Sequence, residues 1–210
     1  MPRDPLVNFW VHVMAMMEYH PSFSVPNGPR LTDEIVEKLF VLTPLAADGF
    51  VEETFSFLAP DELNALKSAV AGVRAVTSQM GKRTSATPEE KSRALPHFQK
   101  IISILAPDRY ADPEAFRIGK QVERRLVPSP PHLDHLRFMT GRDSTDDPAL
   151  WIWAYTKEKD SGEYDQEAFF AAVDEIDSIL KEVAEEVAPD RWPYISYRST
   201  LDQLEYEAAA

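Results

Sequence analysis

The sequence predicts an all-α fold: a multi-helix bundle of about eight to ten helices joined by short Pro-Asp corners, without significant β-sheet. Many of the 17 prolines follow Asp or Thr and precede an apolar periodic run, as proline does at the first position of a helix. Apolar residues in the longest segments recur at alternating spacings of three and four, which is the period of a helix. We find no convincing run that alternates with the period of two expected of a strand.

The predicted helices cover most of the chain, with loops at 22–30 and 127–131. They span 5–19, 32–43, 45–58, 60–81, 88–105, 113–126, 132–140, 148–157, 164–187 and 193–206. The first helix is apolar nearly all round from Phe9 to Met17, so we expect it to be central in the bundle. His12 interrupts this run and no small-residue cleavage site follows it, so we interpret it as a buried helix rather than a signal peptide.

The helices predicted between residues 60 and 126 have clear starting signals. Thr87 and Glu90 frame Pro88 with the spacing of a capping box, in which each side chain accepts a hydrogen bond from the other residue's N–H group. Asp112 precedes Pro113 in the same way and is expected to cap the next helix. The helix after Pro60 carries one apolar stripe, made of Leu63, Leu66, Val70, Val73 and Met80.

The C-terminal third is predicted to be helical as well. The run Leu150–Tyr155 is the one segment that could form a strand, but it follows Asp147-Pro148, and we therefore favour a helix. The helix over 164–187 has six apolar residues on one stripe, which are Phe169, Val173, Ile176, Leu180, Val183 and Val187. The last helix, 193–206, is predicted from the same spacing of Tyr194, Tyr197, Leu201 and Leu204.

The sequence Ala-Pro-Asp-Arg-aromatic occurs twice, at 106–110 and 188–192, and a shorter Ala-Pro-Asp occurs at 59–61. Because the flanking residues match only at the end of the preceding helix, we interpret the motif as a connector and not as a duplicated functional element. Its proline disfavours helical conformation in the alanine before it and so ends the incoming helix. We expect Tyr110 and Trp192 to cover the end of a helix pair, with Pro113 and Pro193 starting the next helices.

The net charge of −13 is unevenly distributed along the 210 residues. Residues 61–125 carry 12 basic and 8 acidic residues, whereas residues 126–210 carry 7 and 19. We expect a single all-helical domain over 1–210, with a possible subdivision near 127–131 into an N-terminal bundle, 1–126, and an acidic helical subdomain, 132–210. An acidic surface repels phosphate backbones, so we expect no binding of nucleic acid.

Several classes of function are excluded or disfavoured by what the sequence lacks. There are no cysteines, which excludes disulfides, thiolate metal sites and cysteine nucleophiles. No motif of a serine hydrolase or of a nucleotide-binding loop is present, so we expect no cofactor. The sequence favours a protein that is not an enzyme but leaves this question open, and it identifies no catalytic residues. No stretch of about 18 uncharged apolar residues occurs, so we expect no association with a membrane and a cytoplasmic location.

Two groups of residues are candidates for binding a small molecule or a metal. His132 and His135 lie one turn apart on the predicted helix 132–140 and could bind a divalent metal together with a third ligand. Surface histidines at a helix start are the simpler interpretation, so we expect no metal. His12 shares a helix face with Met16 and Tyr19, which could line a pocket or could simply belong to the core.

The function that the sequence favours is a non-enzymatic acidic helical protein that binds another protein, as an adaptor, a chaperone or an immunity-type inhibitor does. A basic partner is one alternative, because acidic helical proteins can associate rapidly with basic surfaces. The second hypothesis is a helical enzyme or a small-molecule or metal-binding protein that uses the pocket near His12 or the metal at His132 and His135. The sequence does not determine the oligomeric state.

Overall fold

The computed structural model describes residues 4–18, 49–80, 83, 86–130, 133–156 and 166–199. Its helices are α1 (Pro5–Glu18), α2 (Pro60–Met80), α3 (Pro88–Leu105), α4 (Pro113–Arg125) and α5 (Gln166–Val187), with one short 3-10 helix, Glu52–Phe55. Its strands are β1 (Leu133–Arg142), β2 (Pro148–Thr156) and β3 (Trp192–Ser199). In the part of the chain that the structure describes, no helix is both long and apolar enough to cross a membrane.

The chain divides into two compact units, Met1–Asp108 and Arg109–Ala210. The segment 127–131, where the sequence suggests a possible subdivision, lies inside the second unit, between α4 and β1. The single-domain organisation stays a prediction.

The first unit is helical in its described residues, as the sequence predicts. Phe9 of α1 meets the 3-10 helix at Phe55 with ring centroids 5.2 Å apart, and Phe50 stacks on the same Phe55 ring at 5.0 Å. Helices α2 and α3 pack closely at Gly72, where an added Cβ would lie 2.3 Å from the His97 ring. Because glycine has no side chain, it lets the imidazole lie directly against the backbone of α2.

The predicted helix starts at Thr87 and Asp112 are confirmed. The Thr87 hydroxyl accepts from the Glu90 N–H at 3.2 Å, and the Glu90 carboxylate accepts from the Thr87 N–H at 2.8 Å. One oxygen of Asp112 accepts from the N–H groups of Glu114 and Ala115 at 3.0 and 2.8 Å. The predicted helices 5–19, 60–81, 88–105, 113–126 and 164–187 are present with ends that agree to within about two residues. The predicted helix 32–43 lies outside the described residues.

The second unit is built around a three-stranded mixed sheet with the order β1-β2-β3. Strands β1 and β2 are antiparallel, and β3 lies parallel to β2 after the crossover through α5. Tyr110 makes an isolated parallel bridge to Phe138, which extends the pairing beyond the free edge of β1. Helices α4 and α5 contact the same face of this sheet. An added Cβ on Gly119 of α4 would meet Phe138 at 2.7 Å, and the Tyr197 hydroxyl of β3 donates to Asp177 of α5 at 2.8 Å.

The prediction of an all-α helical bundle without β-sheet is therefore wrong. The segments 132–140, 148–157 and 193–206 were assigned to helices, but their described residues form β1, β2 and β3. Pro148 opens a strand instead of a helix, which is compatible with proline because the first residue of a strand need not donate a hydrogen bond. In β3 the residues Tyr194 and Tyr197, which suggested a helical stripe, lie on opposite faces of the sheet.

The aromatic and β-branched composition of these segments agrees with the strands. β2 contains Trp151, Ile152, Trp153 and Tyr155, and β3 contains Tyr194, Ile195 and Tyr197. Such residues are enriched in strands because their side chains pack well on a pleated surface. The predicted helix 45–58 contains only the 3-10 helix Glu52–Phe55 in the residues that the structure describes.

The repeated Ala-Pro-Asp-Arg-aromatic motif is a connector in both copies: the first joins α3 to α4, as the sequence predicts, and the second joins α5 to strand β3 instead of to a helix. The first follows α3 and leads into the residues that pair with β1, and the second follows α5 and leads into β3. Pro113 starts α4 as expected, whereas Pro193 lies in β3 and starts no helix. Tyr110 is completely buried but Trp192 is 67% exposed, so the two aromatic residues do not share one covering role.

Candidate functional site

The two faces of the sheet carry different side chains. One face packs under α4 and α5 and is formed by buried residues such as Leu136, Phe138, Ile152 and Ala154. The register of the strands places the intervening residues on the opposite face. This opposite face, called the outer face here, consists of His135, Arg137, Met139, Gly141, Ala149, Trp151, Trp153, Tyr155, Trp192, Tyr194, Ser196 and Arg198. Since both helices of the second unit lie on the other side, no described helix of that unit covers the outer face.

The centre of the outer face is aromatic. Trp151 of β2 stacks on Tyr194 of β3 with ring centroids 6.0 Å apart and an interplanar angle of 17°. Gly141 lies beside this pair, and an added Cβ there would lie 3.0 Å from the Trp151 ring. The glycine therefore lets the indole lie flat across the neighbouring strand. Trp192 is 67% exposed and Tyr194 is 39% exposed, so the apolar surface of this cluster reaches solvent.

One end of the outer face is acidic and is formed by the turn between β1 and β2. Asp143 organises this turn, because its Oδ1 atom accepts from the N–H groups of Thr145 and Asp147 at 2.8 and 3.1 Å and from the Thr145 hydroxyl at 2.7 Å. Its Oδ2 atom accepts from the Tyr194 hydroxyl at 2.8 Å. Hydrogen bonds from Thr145 and then Tyr194 lower the pKa of Asp143 to about 2, so the carboxylate is ionised at neutral pH. Asp146 and Asp147 are exposed in the same turn.

The other end of the outer face is basic. The His135 ring stacks on Tyr155 with centroids 4.4 Å apart, and the Arg137 guanidinium lies 5.2 Å from the centroid of the same Tyr155 ring. Arg198 pairs with Tyr155 in the strand register and is exposed. Asp134 contributes one carboxylate here, 2.8 Å from the Nδ1 atom of His135. The outer face therefore runs from carboxylates at the turn to guanidinium groups at its opposite end.

A second cluster of charged residues lies on α4 and has a structural role. Glu123 accepts from the guanidinium of Arg109 at 2.5 Å and from the Tyr110 hydroxyl at 2.8 Å. The Lys120 ammonium lies 4.0 Å from Glu123 and 5.6 Å from the centre of the Tyr110 ring. Lys120, Tyr110 and Glu123 have the residue types of an acid–base site, and the lysine and the tyrosine are buried, but the hydrogen bonds of Glu123 hold the first connector against α4.

The second copy of the connector is held in the same way. Arg191 pairs with Glu114 of α4 at 2.6 Å and donates to the carbonyl oxygens of Gly141 and Ala149, both at 3.2 Å. In the first copy, Arg109 pairs with Glu123 of α4 and donates to the carbonyl oxygen of Leu136 at 3.2 Å. Each connector arginine thus joins one glutamate of α4 to the backbone of the sheet.

The candidate metal site at His132 and His135 is described only in part. The prediction of a metal site depends on a helix over 132–140, but His135 lies in strand β1. His132 lies outside the described residues. Among the described residues, no group of three or more His, Asp and Glu side chains is arranged to hold a metal ion. The expectation of no metal stays a prediction for the whole chain.

The pocket suggested near His12 is described only in part. His12 lies in α1, and its Nδ1 atom is buried without a hydrogen-bond partner among the residues that the structure describes. The Met16 side chain and the whole of Tyr19 lie outside those residues. The pocket therefore stays a prediction.

Sequence reasoning missed the outer face because it assigned all three strands to helices. The signal was present as a period of two. In β1 the residues His135, Arg137 and Met139 alternate with Leu136 and Phe138, and the structure buries the second set.

The sequence matches no protein-family model, and the comparison with curated proteins found no match either.

Proposed function

We propose that this chain is a non-enzymatic protein that binds another protein through the outer face of its C-terminal sheet. The observation that carries the proposal is the aromatic cluster of Trp151, Trp192 and Tyr194, in which Trp192 and Tyr194 are exposed, on a face that neither helix of the second unit covers. Tryptophan, tyrosine and arginine are the residues most enriched at the energetic centres of protein interfaces. Trp192 presents a large apolar ring that would lose contact with water when a partner binds.

The polar clusters of the second unit support binding more than catalysis. The hydrogen bonds of Asp112 cap α4 and reach Thr140 of β1, and those of Glu114 and Glu123 anchor the two connector arginines. Asp143 is ionised, and its hydrogen bonds stabilise the turn between β1 and β2. These carboxylates act within the fold, whereas the aromatic cluster has exposed surface to offer a partner.

Photo-crosslinking from the outer face tests this proposal. The photoreactive residue p-benzoylphenylalanine replaces Trp192 in one variant and Phe170, a 54% exposed aromatic on α5, in a matched control. We expect position 192 to crosslink one defined protein in cells of the source organism, and position 170 to crosslink it weakly or not at all. Excess wild-type chain should compete with the crosslink. Equal crosslinking from the two positions, or none from either, would contradict binding through the outer face.

A small-molecule site in the first unit is the second candidate function. The observation that favours it is the buried Nδ1 atom of His12, which lacks a hydrogen-bond partner among the described residues, because a buried polar atom normally has one. Mass spectrometry and elemental analysis of untagged protein purified from the source organism test this alternative. A stoichiometric metal or organic ligand that His12→Phe abolishes would support it, and protein free of both would count against it.

A further inference from the structure

This inference rests on the proposed function. The geometry points to a partner with an extended segment. That segment places a lysine or arginine side chain at the turn end of the outer face and an aspartate or glutamate at the Arg198 end. The chemistry of this segment follows from charge complementarity along the outer face. The turn end has three carboxylates, Asp143, Asp146 and Asp147, and one positively charged side chain, Arg142. The opposite end has two positively charged side chains, Arg137 and Arg198, and one carboxylate, Asp134.

The turn end has two features that favour a cation. The Asp146 side chain is 85% exposed although it lies 3.5 Å from Arg142, so its carboxylate remains accessible to a second positive group. Trp192 and Tyr194 offer aromatic ring surface beside the turn, and an ammonium or guanidinium group is attracted to the face of such a ring. The 109–210 unit as a whole carries 12 basic and 22 acidic residues, a net charge of −10, and this field would draw a basic segment toward the turn.

The opposite end favours an acid. Arg198 is exposed on the last described part of β3, and the guanidinium of Arg137 lies over Tyr155 on the neighbouring strand. The exposed guanidinium group of Arg198 suits a carboxylate, which can accept paired hydrogen bonds from arginine.

The distance between the two ends sets the spacing of charges in the partner. Tyr194 and Arg198 are four residues apart on β3, a separation of roughly 13 Å along a strand. An extended partner segment covers this distance in about four residues, whereas four residues of a helix cover only about 6 Å. We therefore expect opposite charges about four positions apart in the bound segment, with apolar residues between them over the aromatic cluster.

Selection from a phage library of random dodecapeptides tests the inference with the full-length chain. The library is panned on the wild type in low salt, with the Trp192→Ala variant as the counter-selection. We expect enriched peptides to carry a Lys or Arg and an Asp or Glu about four positions apart. Synthetic copies should bind the wild type and lose affinity as salt is added, because exposed charge pairs are screened.

Charge variants then separate the inference from the proposed function. For a selected peptide, Asp146→Asn and Arg198→Gln should each weaken binding roughly two- to fivefold, and the exposed Glu182→Gln on α5 should leave binding unchanged. Peptides that need Trp192 but tolerate both charge variants would overturn the charge inference and leave the proposed function standing. A failure to enrich any peptide that depends on Trp192 would overturn both.

Two further outcomes would assign the outer face to another occupant. A wild-type dimer in sedimentation velocity that Trp192→Ala dissociates would place a second copy of the chain on the face. Tight binding of a fluorescent single-stranded oligonucleotide that Trp192→Ala abolishes would make the aromatic rings a base-stacking surface. Either result would overturn the inference.

Discussion

A few carboxylates determine where elements of the second unit begin. Asp112 caps α4 through the N–H groups of Glu114 and Ala115, and it also accepts from the N–H and hydroxyl groups of Thr140, each at 2.8 Å. Asp143 likewise accepts hydrogen bonds from the N–H groups of Thr145 and Asp147 in the turn between β1 and β2. The sequence reveals the first role, because Asp before Pro is a local capping signal. It does not reveal the contact of Asp112 with Thr140, which requires β1 to lie beside the start of α4.

Two tyrosine-to-phenylalanine variants test the hydrogen bonds at the ends of β3. Tyr194 donates to Asp143 and Tyr197 donates to Asp177, and both carboxyl pKa values are lowered, with Lys181 the largest cause for Asp177. We expect Tyr194→Phe to raise the pKa of Asp143 from about 2 toward its usual range and to leave Asp177 unchanged. Tyr197→Phe should raise the pKa of Asp177 and leave the pKa of Asp143 unchanged. Carboxyl carbon NMR titrations measure both, and a shift of the same carboxyl group in both variants would refute the pairing.

The sign of the pH dependence at Asp143 follows from its lowered pKa. A carboxyl whose pKa is lower in the folded than in the unfolded state stabilises the fold when it is ionised. The contribution of Asp143 is therefore fully present above about pH 4, and it is lost as the pH falls toward about 2. In Tyr194→Phe this contribution should be smaller, and it should be lost completely at a higher pH, which acid unfolding followed by near-UV circular dichroism would detect.

At the scale of elements, helices and strands differ in how much of their stability is local. The start of α3 is specified by Thr87, Pro88 and Glu90, which are adjacent in sequence, and its predicted start is confirmed. The strands depend on distant partners, since Ala149 of β2 pairs with Trp192 of β3. A local apolar spacing of three and four in 193–206 therefore predicts a helix, whereas pairing with β2 makes the described residues Trp192–Ser199 a strand.

The close approach of α4 to the sheet gives a prediction for Gly119. An added Cβ would lie 2.5 Å from the Tyr110 ring and 2.7 Å from the Phe138 ring, both completely or almost completely buried. We expect Gly119→Ala to lower the free energy of unfolding by about 1 kcal/mol or more, because overpacking outweighs the better helix propensity of alanine. Urea unfolding of the full chain measures the change. Gln121→Ala on the same helix is the control and should change stability by less than about 0.5 kcal/mol; a stabilised Gly119→Ala would contradict this packing.

At the scale of the whole molecule, the chain consists of two units with different architectures. The described residues of Met1–Asp108 are helical, and Arg109–Ala210 combines two helices with a three-stranded sheet. The second unit encloses a core of its own, in which Tyr110, Phe116 and Phe138 are buried together with residues of β2. Its acidic charge is shared between the surface of α5 and the turn of the sheet.

A fragment comprising residues 106–210 tests whether the second unit folds by itself. Because its core is formed by its own helices and strands, we expect cooperative urea unfolding with a circular dichroism spectrum of mixed helix and strand. The full chain measured under the same conditions is the reference. A fragment without a cooperative transition would instead support the single domain that the sequence predicts.

The sequence by itself determined the positions of the five helices in the described residues, the capping residues Thr87 and Asp112, and the function of Ala-Pro-Asp-Arg as a connector. These features depend on contacts within a few residues, so a local pattern contains the information. Only the tertiary structure decided that the second connector leads into a strand, that Arg109 and Arg191 both reach glutamates of α4, and that Trp151 and Tyr194 meet on one face. These features depend on pairing across long stretches of sequence, where the free energy comes from burial and hydrogen bonding between distant segments rather than from local propensity.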